Sequence, residues 1–365
     1  MRALLIDSLM PSPADSGRFD SLQYVKALEA AGVAVDIMTL QEDPSNGSVP
    51  IARHVGVFPE PAGARAWLWG NAHFYDVIFV CRIVNFVNLE KPLGEFRSQG
   101  GKLVFVTVDL HHLREFRLAT LGHSPSGDAA LELAETALRE LRAIRTSDAA
   151  IVVSEFERRY LSVLGVREHV WHIPLGRPVA NEPAGSGSIE PELIFVGSFA
   201  HQPNRVGLEW FLRELWEDIR ADVPGVLLNV VGELSEGFAS GNYPSLAIHG
   251  WVDNLSPIYA RAWASIAPIQ AGAGLKGKVV GSLAEGVPVL GSRTALEGMP
   301  APEVDGVLTL CEDARDYVTA LSRLADRRDR LASRIAALEY ARANFSLELF
   351  ENRVRALLTK LVDST

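Results

Sequence analysis

The sequence predicts an α/β protein of two successive doubly wound parallel sheets facing a central cleft. Three observations carry that expectation. Short, nearly continuous apolar runs alternate with helix-period segments along the first half of the chain. The same alternation restarts after a polar stretch rich in Pro, Gly and Ser at 177–190. Finally, 365 residues suffice for two domains of about 150 residues each. The composition, 48% hydrophobic and 22% charged, excludes a disordered or low-complexity chain. With 35 Lys and Arg against 45 Asp and Glu, the net charge of -10 argues against electrostatic wrapping of nucleic acid.

Along the first half, Ala3 to Ile6 reads as a strand, followed by a turn-rich loop through Pro11, Pro13, Asp15, Ser16 and Gly17. A helix is expected from about Arg18 to Ala31, ending at Gly32, with a strand from Val33 to Thr39. Asp76 to Cys81 and Leu103 to Thr107 have the unbroken apolar pattern of strands buried on both faces. Ala129 to Arg145 has helical spacing, and Ala149 to Val153 is the next strand. It runs into Ser154-Glu155-Phe156-Glu157, a capping box. Trp67 and Trp69 lie in an aromatic segment with no basic face, so they are expected in the core rather than at a lipid surface.

The break at RPVANEPAGSGSIE cannot bury a face and reads as a linker. Domain boundaries follow: residues 1–178, a linker at 179–190, a second domain at 191–345, and a final helix at 346–365. In the second series, Leu193 to Val196 is a strand, and Leu208, Phe211, Leu212 and Leu215 form the apolar stripe of a helix. Strands follow at Val226 to Val231, Ser265 to Ile269 and Val287 to Leu290. The last helix, Leu347 to Leu361, carries apolar residues at 350, 354, 357, 358 and 361. Ligands of such sheets bind beyond the carboxyl ends of the strands.

The most informative segment runs from Ala267 to Val289. A strand leads into a loop with Gly272 and Gly274, and a helix is expected to start near Leu275. Glycines let a backbone approach a ligand, and the first-turn amides of a helix favour an anion. Lys276 and Lys278 place positive charge where it opposes the helix dipole, an arrangement that costs stability unless an anion binds there. The plainer alternative is a surface turn with two solvated lysines.

With this segment, several motifs in order resemble the family 4 retaining glycosyltransferases of the GT-B fold, which has two Rossmann-like domains. They are Ser16-Gly17-Arg18, the stretch from Val106 through Asp109, His111 and His112 to Glu115, and the stretch from Phe195 through Gly197 and Ser198 to Asn204. Val231-Gly-Glu233, His249-Gly-Trp-Val252, Gly272 to Val289, and Thr294 to Gly298 complete the set. The resemblance spans most of the chain and suggests that the final helix, 346–365, packs back across the domain junction. It implies transfer of a sugar from a nucleotide-diphosphate donor to a glycan or glycoconjugate acceptor, with retention, no metal and no cofactor beyond the donor itself.

Residue by residue, the resemblance implies that Lys276, with Lys278, neutralises the departing diphosphate, the main electrostatic task of the reaction. Gly197 and Ser198 would approach the phosphates with backbone amides, and His201 lies in the same loop. Gly250 and Val252 match the segment along the base; Gly272, Gly274 and Leu275 belong to the phosphate loop, and Glu297 is a further donor contact. Gly17 would let the first-domain loop close, with Arg18 reaching the phosphates. The plainer reading of Arg18 is an exposed residue in a first helical turn. Asp109 or His111 would orient or deprotonate the acceptor hydroxyl, with one of the two adjacent histidines serving structure. Arg82, just after a buried strand, ranks below these. Two adjacent histidines with no further Cys/His cluster argue against a metal site.

One departure stands out. The family's usual E-x7-E pair falls on Ala273 and Gly281, so both carboxylates are missing. Glu285, one turn on, is expected to be exposed. The alternative reading is therefore a non-catalytic homologue that binds a nucleotide sugar or serves as a partner subunit. With two cysteines, an early Asp7 and no long apolar stretch, the chain is expected to be cytoplasmic. Peripheral membrane contact is not predicted, and a nicotinamide enzyme is excluded by Asp7-Ser-Leu-Met-Pro where G-x-G-x-x-G would stand.

Overall fold

The computed structural model describes residues 1–8, 10, 16–41, 52–122, 126–233 and 243–363. The chain divides into two compact units, Met1–Gly176 together with Leu347–Thr365, and Arg177–Ser346. In chain order the first unit holds β1 (Arg2–Asp7), α1 (Ser16–Ala30), β2 (Ala34–Thr39), β3 (Arg53–Val57) and α2 (Pro61–Asn71). Then come β4 (Val77–Cys81), α3 (Ile83–Ser98), β5 (Lys102–Val106), α4 (His111–Ala119), α5 (Gly127–Thr146), β6 (Ala149–Val152), α6 (Glu155–Val163) and β7 (Val170–His172). Among the described residues the strands order as β3-β2-β1-β4-β5-β6-β7, all parallel. Consecutive β1, β2 and β3 build outward on one side and β4 to β7 on the other. The switch point, where a ligand crevice forms, therefore lies between β1 and β4.

The second unit holds β8 (Glu192–Val196), α7 (Gln202–Glu214), α8 (Trp216–Asp222), β9 (Leu227–Val231), β10 (Leu246–Gly250), α9 (Ser256–Arg261) and β11 (Ala264–Ala267). It continues with α10 (Gly277–Ala284), β12 (Val289–Gly291), α11 (Arg293–Leu296), β13 (Leu308–Leu310), α12 (Ala314–Leu324) and α13 (Arg327–Phe345). Its strands order as β10-β9-β8-β11-β12-β13, again parallel, so its switch point lies between β8 and β11. The two sheets give the α/β architecture read from the sequence.

The final helix, α14 (Leu347–Asp363), belongs to the first unit. Phe350, Val354, Leu357, Leu358 and Leu361, the predicted stripe, are all buried in that unit's core, and the Phe350 ring meets Tyr24 of α1 edge-on at 4.9 Å. At about 1.5–3 kcal/mol for each fully buried large apolar side chain, this helix is integral to the unit.

Four local expectations are corrected. The 179–190 stretch is not a free linker, since it lies within the second unit and is strapped along it. Gly187 and Ser188 donate backbone N–H bonds to Ala260 and Arg261, Trp263 Nε1 donates to the Ser188 carbonyl at 2.8 Å, and Arg330 Nε donates to that of Ser186. Polar composition hid this because the strap is held mostly through its carbonyls and amides, with the Ser188 hydroxyl donating to the Arg261 carbonyl at 3.0 Å. The lysine-bearing helix begins at Gly277, two residues after Leu275, with Lys276 at its N-cap. β11 ends at Ala267, because Pro268 has no amide hydrogen to continue the ladder. Finally, α2 buries Leu68 and leaves Trp69 52% exposed, while Trp67 is half-buried between Phe58 and Tyr75. Pro11, Pro13 and Asp15 of the first loop lie outside the described residues, whereas Gly17 and Arg18 stand in the first turn of α1.

Candidate functional site

In the second unit, the segments singled out in the sequence meet at the β8/β11 switch point. Gly197 and Ser198 follow β8, and the loop 268–276 runs from β11 into α10. Ser292, after β12, holds that loop by donating its hydroxyl to the Ile269 carbonyl at 2.5 Å. The centre of the cluster is Lys278. Its ammonium donates to Asn204 Oδ1 at 2.5 Å and sits 4.2 Å from the centroid of the Phe195 ring. Asn204, buried on α7, in turn donates Nδ2–H to the Ser198 carbonyl at 2.9 Å, which fixes the orientation of its amide. A Cβ on Gly197 would stand 2.8 Å from Lys278 Nζ and 2.7 Å from Asn204 Nδ2, so any larger residue there would displace both.

Burial, then the neighbouring charge of Lys276, brings the Lys278 ammonium down to about 7. Among the described residues no carboxylate pairs with this cation; it meets the neutral Asn204 amide and the Phe195 face, with Lys276 nearby. Lys276 Nζ folds back on its own loop and donates to the carbonyls of Gly274 at 2.7 Å and Ala273 at 3.2 Å. Leu275 is buried and contributes packing, while a Cβ on Gly272 would stand 3.3 Å from Lys276 Cε, so the glycine leaves room for the lysine stem.

The other expected donor contacts lie along the carboxyl edge of the same sheet. Gly197, Gly232 and Gly250 close β8, β9 and β10 side by side. The Gly197 amide donates to Val231, and the Gly232 amide donates to Gly250. A Cβ on Gly232 would come within 2.3 Å of the Gly197 carbonyl oxygen, so the ledge stays flat. Val252, like Val196, Leu255 and Ile258, packs against the buried cluster of Ile194, Val231 and Tyr259. His201 is exposed at the N-cap of α7, and Glu297 is half-buried where α11 ends.

Gly281, in the place of the missing carboxylate, has no atom within 4 Å of where a Cβ would stand. Glu285 is half-buried rather than exposed. It accepts a 3.5 Å hydrogen bond from Ser256 Oγ, and burial raises its carboxyl above the ordinary value despite that bond and the nearby Arg334. It belongs to the α9–α10–α13 packing.

In the first unit, Asp109 follows β5, and His111 opens α4. Arg114 Nη1 donates to both Asp109 oxygens, at 2.6 and 2.8 Å, and His111 Nδ1 lies 3.1 Å from Oδ1. Although burial would raise it, His111 and Arg114 hold the Asp109 carboxyl well below the usual carboxylate range. Burial also opposes charge on His111, but Asp109 raises its imidazole above the ordinary value. Asp109 therefore serves as an anchor in an ion triad and is a poor proton acceptor, while His111 keeps its Nε2 without a protein partner among the described residues. The histidine that serves structure is His112. Its Nδ1 lies 2.5 Å from Glu140 Oε2 and its Nε2 lies 3.0 Å from the Tyr160 hydroxyl.

Glu140, fully buried on α5, also accepts the backbone amides of His111 and His112, and Glu157 accepts that of Leu110. Two carboxylates from other helices thus cap α4 and fix the Asp109–His111 turn. Sequence reading gave no role to Glu140, and Asn204 only closed a quoted motif, since His112 lies 28 residues from the first and Lys278 lies 74 from the second. Glu157 was visible only as half of the capping box, which the structure contains.

Among the described residues no three His, Cys, Asp or Glu side chains cluster as a metal-binding group, and no helix is long and apolar enough to cross a membrane. Residues 190–327 match the family model of the group 1 glycosyl transferases. No curated protein matches the chain. Among solved structures, sucrose-phosphate synthase from Thermosynechococcus elongatus superposes with a TM-score of 0.76 at 20% identity, covering 100% of each chain. HepE from Anabaena, solved with UDP and glucose, gives 0.71 at 13% identity over 99% of this chain and 100% of that one. TarM gives 0.70 at 9% identity over 99% and 98%. These likenesses establish the GT-B fold of two Rossmann-like units.

Proposed function

We propose that this chain, with its GT-B fold and a group 1 glycosyltransferase match in its second unit, transfers a sugar from a nucleotide-diphosphate donor to a hydroxyl of a glycan or glycoconjugate acceptor. The proposal includes retention of configuration, independence of metal, and a cytoplasmic setting. The observation that carries it is the meeting of Gly197, Asn204, Lys276 and Lys278 at the β8/β11 switch point. A nucleotide diphosphate leaves readily once its oxygens are neutralised, and two ammonium groups beside backbone amides supply that charge without a divalent ion. Retention rests on the sequence resemblance alone. In the first unit His111, held by Asp109, presents Nε2 for hydrogen bonding to the acceptor hydroxyl. Because HepE is described with UDP and glucose, uridine nucleotides are the first donors to test.

The direct test is incubation with a panel of nucleotide sugars and detection of released nucleotide diphosphate. Release is expected for at least one donor, and Lys276→Ala is expected to lower it at least tenfold with an unchanged circular-dichroism spectrum. An unchanged rate would remove that lysine from the mechanism. The second reading, a non-catalytic nucleotide-sugar binder, is favoured by the empty carboxylate positions at 273 and 281. It would show as saturable UDP binding with no release from any donor.

The same positions yield a second expected result. Gly281→Glu fits the open space on α10 and relieves a mid-helix glycine, which costs about 0.5–1 kcal/mol relative to alanine. It should raise the Tm and tighten UDP binding several-fold by calorimetry. A higher Tm with no gain in affinity would place the ribose away from α10.

A further inference from the structure

Arg82 stands at the switch point of the first sheet, directly after β4 and beside the end of β1. Its guanidinium is anchored at one end only. Nε donates to Asp7 Oδ1 at 2.8 Å, and Asp7, 1% exposed, also accepts from the Ser21 hydroxyl and the Ser8 amide. The two Nη groups have no acceptor among the described residues, and the side chain keeps 24% of its surface open. The backbone is unusual as well: Arg82 has φ +70 and, one strand over, Val108 has φ +66. Neither residue type adopts positive φ without strain, and β-branched valine least of all.

These features have a consistent physical meaning. A buried carboxylate that satisfies Nε and leaves the planar Nη fork facing outward fixes the guanidinium in one orientation. Such a fork matches two oxygens of a phosphate or carboxylate. Arg82 therefore differs from an arginine that merely neutralises a buried acid, which would spend two nitrogens on the carboxylate, as Arg53 does on Asp36. Asp109, after β5, also acts on Arg82 through its charge, but Arg114 already meets both of its oxygens.

We propose that Arg82 binds an oxyanion carried by the acceptor, so that the acceptor is an anionic molecule, a sugar phosphate or a uronate, rather than a neutral glycan. Calling the ligand an acceptor rests on the transferase reading given above; the oxyanion site itself does not. The side-chain pair Asp7–Arg82 selects and orients this group at the carboxyl edge of β1 and β4.

The test separates the two. In full-length protein carrying Lys276→Ala and Lys278→Ala, which blinds the second unit, inorganic phosphate is titrated and followed by 31P line broadening. Saturable binding in the millimolar range is expected, at least tenfold weaker with Arg82→Gln. Arg82→Lys, which keeps a cation beside Asp7 and so protects the fold, should also weaken it, because it lacks the fork. No saturable binding, or equal binding in all three proteins, overturns the site. Glucuronate as competitor distinguishes the sources: displacement of phosphate at comparable concentration supports a carboxylate ligand, and failure to displace supports a phosphate ligand. UDP affinity of otherwise wild-type protein should be unchanged by Arg82→Lys; an equal loss would assign the oxyanion to the donor and overturn the acceptor reading. Absence of transfer from every nucleotide sugar would count against the transferase and leave the phosphate result standing.

Discussion

Lys278→Met is expected to lower kcat/KM for the nucleotide sugar about 100-fold, the effect of removing one preorganised donor from a developing oxyanion. The same substitution is expected to change stability in a pH-dependent direction. The Lys278 ammonium is held down to about 7 by burial and by Lys276, against 10.5 in the unfolded chain. Between those values the unfolded state binds more protons than the folded one, so wild-type stability rises with pH across that window. Below about pH 7 the ammonium is charged in both states, and the folded protein carries the full burden of keeping it buried. Methionine removes that burden. The Tm of the variant minus that of wild type should therefore be more positive at pH 6 than at pH 10. A difference that does not vary with pH would mean that the lysine is solvated.

The lowered ammonium has a consequence for binding. A diphosphate at this point favours the protonated form, so UDP binding near pH 8 should take up a proton, read by calorimetry in two buffers of different ionisation enthalpy. Wild-type affinity should fall as pH rises above about 7, while the methionine variant should show no such slope. The Asn204 amide, which accepts from Lys278 and donates to the Ser198 carbonyl, couples this proton to the loop after β8.

Glu140→Ala is expected to destabilise the first unit by about 3 kcal/mol or more, because several buried donors lose one shared acceptor at about 1–3 kcal/mol each. The cost has three visible parts: the His111 and His112 amides at the start of α4 lose their acceptor, and so does His112 Nδ1. Each is buried or nearly so, with little water to replace the carboxylate. Chemical denaturation should show the loss. Glu140→Gln keeps an acceptor and should cost less. If alanine lowers turnover without changing the denaturation midpoint, Glu140 acts on the substrate rather than on the fold.

Much of the architecture was legible because buried parallel strands leave unbroken apolar runs. β1, β4, β5, β6, β8 and β9 lie within a residue or two of their expected bounds. β3, reading Arg-His-Val-Gly-Val, and β10, reading Leu-Ala-Ile-His-Gly, were not legible, since edge strands expose a face and carry polar residues. β7 and β13, with three residues each, are too short to show a period. The strap at 185–190 escaped because it is held by hydrogen bonds to remote residues, Arg261, Trp263 and Arg330, and buries no apolar face of its own. At the site, residue types and local spacing pointed to Lys276, Lys278, Gly197 and Asp109. The partners that set their chemistry come from remote segments: Asn204 lies 74 residues from Lys278, and Asp7 lies 75 from Arg82. No local pattern announces such pairs, which is why Arg82 ranked low and Glu140 went unremarked.

The most direct measurement is a crystal structure of the protein with UDP. The diphosphate is predicted to lie at the β8/β11 edge, with a phosphate oxygen within hydrogen-bonding distance of both Lys276 Nζ and Lys278 Nζ and of a backbone amide after β8. UDP bound elsewhere, or both ammonium groups turned away to water with no anion between them, would contradict the account.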